Sequence, residues 1–267
     1  MSVARFGAQR LVRPEAGTAE RWLFRLMGVA DPAHYLHHLY LRRVLDGAQG
    51  GAPRRILDAG CGTGDHTFYL AQRFPHAEIV GVDVDSSRIA RNRETVSLLG
   101  VRNVTFEVQD LTQLPWEEQF DLVVAIDVLE HILDQQAAVR SLWRVLHRGG
   151  RFFFHIPTAR RRPVPFSRWL DGFHAWAEQE HLAEDRTADD FIGVLRVVGF
   201  EVMASWRTFG FLTGEMATSL FALPHERTVR NRVLQGMLAP VCRALVLADF
   251  LRIDSERYAV AVTGCRP

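Results

Sequence analysis

The sequence predicts an α/β protein built around a mostly parallel β-sheet with helices on both faces. Between Arg55 and Pro157, short apolar runs alternate with segments of helical periodicity, which is the pattern of consecutive βαβ units. The apolar runs are continuous rather than alternating, as expected for strands that are buried on both faces. Gly100 and the pair Gly149–Gly150 stand where two of the predicted helices should end.

The elements of the predicted core follow one another without long interruptions. Residues 1–52 precede them and contain the aromatic and histidine-rich segment DPAHYLHHLYLRR, which we predict to be a helical lid. In chain order, the core segments are RILDA (strand), a helix through Leu70 to Phe74, EIVGVD (strand), SSRIARNRETVSLLG (helix), VTFEVQD (strand), FDLVVAID (strand), LDQQAAVRSLWRVL (helix) and GGRFFFHIP (strand).

The regular alternation stops after residue 157. A basic, proline-broken loop follows, and Thr187 then opens a helix with Asp190 as a capping-box partner. FEVMASWRTF and RYAVAVTG are predicted strands, and the long apolar helical segment between them indicates an insertion. The resulting division is a lid (1–52), a core (53–208 and 257–267) and a substrate cap (209–256).

The composition indicates an ordinary globular protein. The chain has 267 residues, of which 48% are hydrophobic and 24% charged. Its net charge of +1 argues against a nucleic-acid partner. Three widely spaced cysteines form neither a disulfide framework nor a zinc pattern. No signal peptide or transmembrane helix is predicted, so we expect a cytoplasmic protein.

The stretch ILDAGCGTGDHTF places three alternate glycines, Gly60, Gly62 and Gly64, directly after the first strand. Such a loop can turn sharply and let a ligand lie against its backbone. In a dinucleotide fingerprint the next glycine would fall at Asp65, and an acid there would repel a pyrophosphate. Asp58 and Asp65 together suit a cationic nucleoside without phosphate as the ligand. An NAD(P)-binding oxidoreductase is the alternative.

Five segments resemble, in order, the motifs of class I S-adenosylmethionine-dependent methyltransferases of the small-molecule type. These are LDAGCGTG, GVDVDSS, FEVQDLTQLPW, FDLVVAIDVLEHI and GGRFFFHIP, which together span 56–157. The resemblance implies a Rossmann-like, seven-stranded, mostly parallel sheet and S-adenosyl-L-methionine as the cofactor. It also implies in-line methyl transfer to a small-molecule or lipid-like acceptor, with a non-catalytic cofactor-binding partner protein as a further alternative.

The resemblance implies roles for particular residues. Asp83 would accept both ribose hydroxyls, while Asp110 and the backbone N–H of Leu111 would bind the adenine. Asp58 and the glycine loop would hold the methionine amino end, with Asp127 beside it. The complete predicted cofactor-binding set is Asp58, Gly60, Cys61, Gly62, Gly64, Asp83, Val84, Asp110, Leu111 and Asp127.

Two histidines are candidate general bases for an acceptor that carries a proton. His131 follows the fourth strand, and His181 precedes a later helix in a place where similar enzymes often carry a histidine. His155 falls inside a predicted strand and is interpreted as a core residue. We predict no metal site, because the histidines at 34, 37 and 38 have no acid or cysteine pattern near them.

The acceptor class is narrowed by one missing motif. No Asn/Asp-Pro-Pro-aromatic segment follows the fourth strand, where the sequence is IDVLEH, and this argues against methylation of an amino group on a base or a glutamine. The apolar insertion suggests a cap over a hydrophobic acceptor and the hypothesis of peripheral membrane contact through 209–256. Arg160–Arg162 would meet an anionic group on that acceptor. The sequence does not predict the oligomeric state.

Overall fold

The computed structural model describes residues 32–47, 51–158, 187–218, 220, 229–251 and 258–267, with Gly7, Gln9, Val12 and Thr18. Short 3₁₀ turns occur at Leu111–Gln113 and Leu129–His131, and a π-helical turn at Leu212–Ala217. The helices and strands are α1 (Pro32–Gly47), β1 (Arg55–Ala59), α2 (Asp65–Arg73), β2 (Glu78–Asp83), α3 (Ser86–Leu99), β3 (Val104–Val108), β4 (Phe120–Ile126), α4 (Gln135–Val145), β5 (Leu146–Pro157), α5 (Ala188–Val198), β6 (Glu201–Thr208), α6 (Val229–Leu251) and β7 (Ala259–Cys265).

Seven strands of the described residues form one sheet in the order β3-β2-β1-β4-β5-β7-β6. The first five strands are parallel, and β7 runs antiparallel between β5 and β6. The strand order reverses between β1 and β4, which makes the crevice beyond their carboxyl ends the expected ligand site of such a sheet. The predicted fold class and the mostly parallel sheet are confirmed.

The ends of the helices follow from local side-chain chemistry. The predicted capping box of Thr187 and Asp190 opens α5, and Gly100 ends α3 with a φ of 64°. The prediction that Gly149–Gly150 end the fourth helix was wrong, because α4 already ends at Val145. Gly149 lies within the bounds of β5 with a φ of 77°, so its conformational freedom serves that strand instead.

The N-terminal helix packs against the helix of the predicted insertion. Tyr40 is buried, and its ring centroid lies 4.9 Å from that of Phe250 in α6. The guanidinium of Arg243 stacks over the ring of Tyr35 at 5.1 Å. The predicted helical pattern is confirmed for α6, which continues through Pro240. Among the residues described, no helix combines the length and the apolarity needed to cross a bilayer.

Polar contacts fasten the amino-terminal edge of the sheet, where β4 begins. The carboxylate of Asp121 accepts the backbone N–H groups of Arg54 and Arg55 at 2.6 and 2.8 Å. Nε2 of His147 lies 2.5 Å from the same carboxylate, and that hydrogen bond raises the pKa of the imidazole. This edge lies opposite the carboxyl ends of the strands, where the ligand site is expected. We therefore assign the ion pair of His147 and Asp121 a structural role.

Candidate functional site

The glycine loop leaves β1 in a backbone conformation that other residues rarely adopt. Gly60, Gly62 and Gly64 have φ values of 73°, 50° and 80°. The backbone N–H groups of Gly60 and Cys61 both donate to the carbonyl of Val82 at 2.8 Å. The loop is therefore fixed to the carboxyl end of β2 before α2 begins.

Two of these glycines are needed for different reasons. A methyl group on Gly60 would overlap Val128, whose Cβ would lie 2.6 Å away, so Gly60 permits close packing on the turn after β4. A methyl group on Gly62 would meet nothing closer than an Arg88 guanidinium nitrogen at 3.9 Å. Gly62 therefore presents bare backbone to open space, which is what a ligand lying on the loop requires.

Asp83 closes β2 and holds the loop in place. Its Oδ2 accepts the N–H of Gly62, and its Oδ1 accepts the N–H of Asp85, both at 2.9 Å. Each carboxylate oxygen has a second lone pair, so the side chain can accept further hydrogen bonds from a ligand. Asp85 rather than Asp83 caps α3, accepting from Ser87 and Arg88, and a capping role therefore does not explain Asp83.

Three carboxylates surround the loop. Asp58 and Asp65 are each 3% exposed, and Asp83 is 9% exposed. The hydroxyl of Thr67 donates to Asp58 at 2.5 Å, while Thr63 and Gln9 donate to Asp65. These three carboxylates fit a ligand that carries positive charge and no phosphate.

Burial raises the pKa of Asp58 to about 7, and the nearby charges of Asp83 and Asp65 add to this, although the Thr67 hydrogen bond opposes it. In the unfolded chain the same carboxyl titrates near its ordinary value of 3.8. The folded protein therefore binds more protons between these values, so the contribution of Asp58 to stability is lost as the pH rises towards 7.

Asp58→Asn should consequently change how stability depends on pH. The variant cannot ionise, so its free energy of unfolding relative to the wild type should increase between pH 5 and pH 8, by up to about 3 kcal/mol. Urea unfolding at both pH values measures this difference. Asp46→Asn, which removes a half-exposed carboxylate, is the control. If the free energy of unfolding depended on pH equally in the wild type and in Asp58→Asn, the raised pKa of Asp58 would be contradicted.

The remaining predicted cofactor positions lie at the same edge of the sheet. Asp110 follows β3, and its Oδ1 accepts from both the N–H and the hydroxyl of Thr112 at 2.8 Å. Asp110 therefore stabilises the turn through this oxygen and keeps its second oxygen for other partners. Leu111 is buried, whereas Val84 is 69% exposed beside Asp83. Their contacts with a cofactor stay predictions.

Cys61 lies within the loop as a small buried side chain. It is 8% exposed, and burial raises the pKa of its thiol far above the ordinary value, with Asp58 adding to the effect. The thiolate, which is the reactive form, is therefore strongly disfavoured. Cys61 is therefore a small filler of the loop rather than a nucleophile.

Asp127, the first residue after β4, adopts a φ of 48°. Non-glycine residues in this region are uncommon, and aspartate is among those that tolerate it best. Its Oδ1 lies 2.5 Å from Nδ1 of His155, and its Oδ2 lies 3.1 Å from Nε2 of His37. Nε2 of His155 lies 2.8 Å from the hydroxyl of Thr208. Asp127 therefore connects α1, β4 and β5.

This cluster was missed by the sequence analysis. The sequence around the histidines of the N-terminal helix shows no acid or cysteine pattern, but the fold brings Asp127 to His37 from a distant part of the chain. His155 is a buried core histidine as predicted, at 1% exposure. The one signal in the sequence was the spacing of the histidines at 34, 37 and 38, which places them on one helix face.

The turn after Asp127 contains two further titratable groups. Burial raises the pKa of Glu130 well above its ordinary value, and the charge of Asp127 adds to this. Partial burial opposes ionisation of Asp127, but the imidazoles of His37 and His155 hold its pKa below the ordinary range. His131, whose side chain is 38% exposed, lies 3.8 Å from Glu130. His181 and the basic loop fall outside the described residues.

The sequence and the fold were compared with known proteins. A family model described as "Methyltransferase domain" matches residues 52–192, more than half of the chain. The ubiquinone biosynthesis O-methyltransferase of Acinetobacter baumannii is 28% identical over 172 residues, which cover 62% of this chain and 68% of that protein. The demethylmenaquinone methyltransferase of Thermus thermophilus is 38% identical over 111 residues, 41% of this chain and 50% of that protein.

Among solved structures, phosphoethanolamine N-methyltransferase 2 of Haemonchus contortus, in complex with S-adenosyl-L-methionine, shares the fold. Its TM-score is 0.65 at 16% identity, and the match covers 98% of this chain and 60% of that one. The sheet order, the glycine loop and the family match agree with one another. This chain belongs to the class I S-adenosylmethionine-dependent methyltransferases.

Proposed function

We propose that this protein binds S-adenosyl-L-methionine at the glycine loop and transfers its methyl group to a hydrophobic hydroxyl or phenol. One observation carries the proposal: three buried or nearly buried carboxylates, Asp58, Asp65 and Asp83, surround a loop whose glycine at 62 faces open space. A phosphate-bearing ligand would be repelled there, whereas an ammonium and a sulfonium would be attracted.

The roles proposed for the chain follow from its hydrogen bonds. When bound, S-adenosylmethionine supplies an electrophilic methyl group on a positively charged sulfur. Asp83, already fixed by Gly62 and Asp85, would accept the ribose hydroxyls. Asp58 would face the methionine ammonium, and Asp110 the adenine amino group. Holding both reactants in line is the main task of the protein in such a displacement.

The acceptor class is supported by the relatives and by the sequence after β4. Two relatives are named for ubiquinone biosynthesis and for demethylmenaquinone, which supports a lipid-like aromatic acceptor here. We propose that α1 and the insertion, which pack on each other through Tyr40 and Phe250, cover that acceptor. His131 would serve as the base where the acceptor must lose a proton.

Calorimetric titration tests the cofactor directly. We expect micromolar binding of S-adenosylmethionine and S-adenosylhomocysteine and no binding of NAD. Because the pKa of Asp58 is raised to about 7, binding of the ammonium should release a proton, and affinity should rise from pH 6 to pH 8. The heat of binding should then depend on the ionisation enthalpy of the buffer.

The alternatives give different results in the same titration. Binding of NAD in place of S-adenosylmethionine would indicate an oxidoreductase. Binding without transfer of a labelled methyl group to any phenol or alcohol in a hydrophobic acceptor panel would indicate a non-catalytic binding protein. Affinity that is higher at pH 6 than at pH 8 would contradict the role proposed for Asp58.

A further inference from the structure

We propose that His37, Asp127 and His155 form a binding site for a divalent transition-metal ion, beside the glycine loop. One potential ligand atom from each residue lies within 4.8 Å of the others. The site is inferred from these three side chains and not from the proposed function, although Asp127 also belongs to the predicted cofactor-binding set. It is also distinct from the acids around the loop, because it is built from the N-terminal helix, the residue after β4 and the carboxyl-terminal part of β5.

The cluster is slightly tighter than a small ion with nitrogen and oxygen ligands requires. A tetrahedral ion at about 2.0–2.2 Å from each ligand separates the ligand atoms by roughly 3.3–3.6 Å. The separations in the cluster are 2.5 Å for His155 to Asp127, 3.1 Å for His37 to Asp127, and no more than 4.8 Å for any pair. Both measured separations are shorter than the required spacing, so the side chains would have to move apart by about 0.2–1.1 Å to admit an ion.

The carboxylate of Asp127 lies between two imidazoles, an arrangement that attracts a cation. At 2.5 Å, either the imidazole N–H at Nδ1 of His155 donates to Oδ1 of Asp127, or both atoms bind one cation. Oδ2 of the same carboxylate faces His37 in the same way. A divalent ion would satisfy both contacts at once and would leave both imidazoles neutral.

The surroundings resemble those of a metal centre. The second ring nitrogen of His155 lies 2.8 Å from Thr208 Oγ1, a contact that fixes the ring as outer-shell partners of metal ligands do. The ring of Phe209 lies 5.3 Å from that of His37 and 5.7 Å from that of His155, forming an apolar wall. The imidazoles are buried while the carboxylate is 36% exposed, which leaves one side open for a fourth ligand.

The ligand set selects the ion. Two imidazoles with one carboxylate suit Zn²⁺, Fe²⁺, Co²⁺ or Ni²⁺, whereas Mg²⁺ prefers a shell of oxygen ligands. The same set with an open position occurs in catalytic zinc sites and in non-haem iron sites. Val128, the neighbour of Asp127 in the chain, packs where a Cβ on Gly60 would lie, so the bound ion would sit next to the loop.

The full-length protein, freed of any tag and treated with EDTA, should bind one equivalent of Co²⁺ or Zn²⁺ and no Mg²⁺ in calorimetric titrations. His37→Gln and His155→Gln should each weaken Co²⁺ binding at least about 100-fold, since each removes one of three ligands. His147→Gln is the matched control. His147 also lies 2.5 Å from an aspartate, Asp121, but this pair contains one imidazole instead of two. The Co²⁺ affinity of His147→Gln should equal that of the wild type.

X-ray absorption of the Co²⁺-loaded wild type identifies the ligands without any substitution. Two imidazole ligands are expected, and they would support the site even where a variant fails to fold. Absence of stoichiometric Co²⁺ and Zn²⁺ binding would overturn the proposal, as would equal binding by the wild type and folded His37→Gln. The three side chains would then form a hydrogen-bonded network that fastens α1 to the sheet.

Discussion

Asp83→Ala is expected to lower the affinity for S-adenosylmethionine at least about 100-fold. Hydrogen bonds to a charged group contribute about 1.5–3 kcal/mol each, and two are lost if this carboxylate accepts both ribose hydroxyls. The variant also releases the N–H of Gly62, which Asp83 accepts at 2.9 Å, so the loop loses part of its support. Titration calorimetry of the purified variant measures the loss.

The neighbouring Asp85 provides the matched control. Its carboxylate caps α3, accepting from the N–H groups of Ser87 and Arg88, and its removal should cost about 0.5–2 kcal/mol of stability. Asp85→Ala should therefore lower the melting temperature yet bind S-adenosylmethionine within about threefold of the wild type. Unchanged affinity in a folded Asp83→Ala protein would show that the ligand lies elsewhere.

Gly62→Val should abolish cofactor binding and leave the fold intact. The φ of 50° makes any side chain strained there by about 1–2 kcal/mol, but the space around Gly62 is open, so no protein atom must move far. The added side chain would occupy the position proposed for the ligand. Thermal unfolding measures the backbone strain, and binding calorimetry measures the loss of cofactor binding.

Gly100→Val is a suitable control for that experiment. Gly100 has a φ of 64° and nothing within 4 Å of an added Cβ, so it imposes a similar strain at the far end of α3. It should lower stability by a similar amount and keep full binding. Gly60→Ala should instead destabilise the protein by about 2–5 kcal/mol, through overlap with Val128 as well as strain. Normal binding by Gly62→Val would refute the assigned ligand position.

Most of the fold could be predicted because its signals are local. A strand buried on both faces is apolar along most of its length, and RILDA, EIVGVD and FDLVVAID contain continuous apolar runs at 56–57, 79–82 and 122–126. Capping is equally local, and the Thr187–Asp190 box was found for that reason. The end of α4 was predicted wrongly because the pair Gly149–Gly150 indicates a backbone with positive φ but does not indicate which element contains it.

The candidate site could be predicted only in part. Asp58 and Asp65 lie next to the glycine loop in the sequence, and Asp83 is the last residue of β2. The order of the motifs was therefore sufficient to find them. The contact of His37 with Asp127 depends on how a separate helix packs across the sheet. The histidine spacing places His37 on a helix face but does not identify Asp127 as its partner. The raised pKa of Asp58 likewise follows from burial among other acids, which only the fold determines.

The position of β7 constrains how the chain can be synthesised and folded. This strand lies between β5 and β6, although it follows both of them in the sequence. A nascent chain that has reached β6 can already assemble the five parallel strands, but β6 has no place in the sheet until β7 emerges from the ribosome. During that interval β5 exposes an unpaired strand edge, of the kind that templates aggregation, so rapid completion of β7 protects the newly made protein.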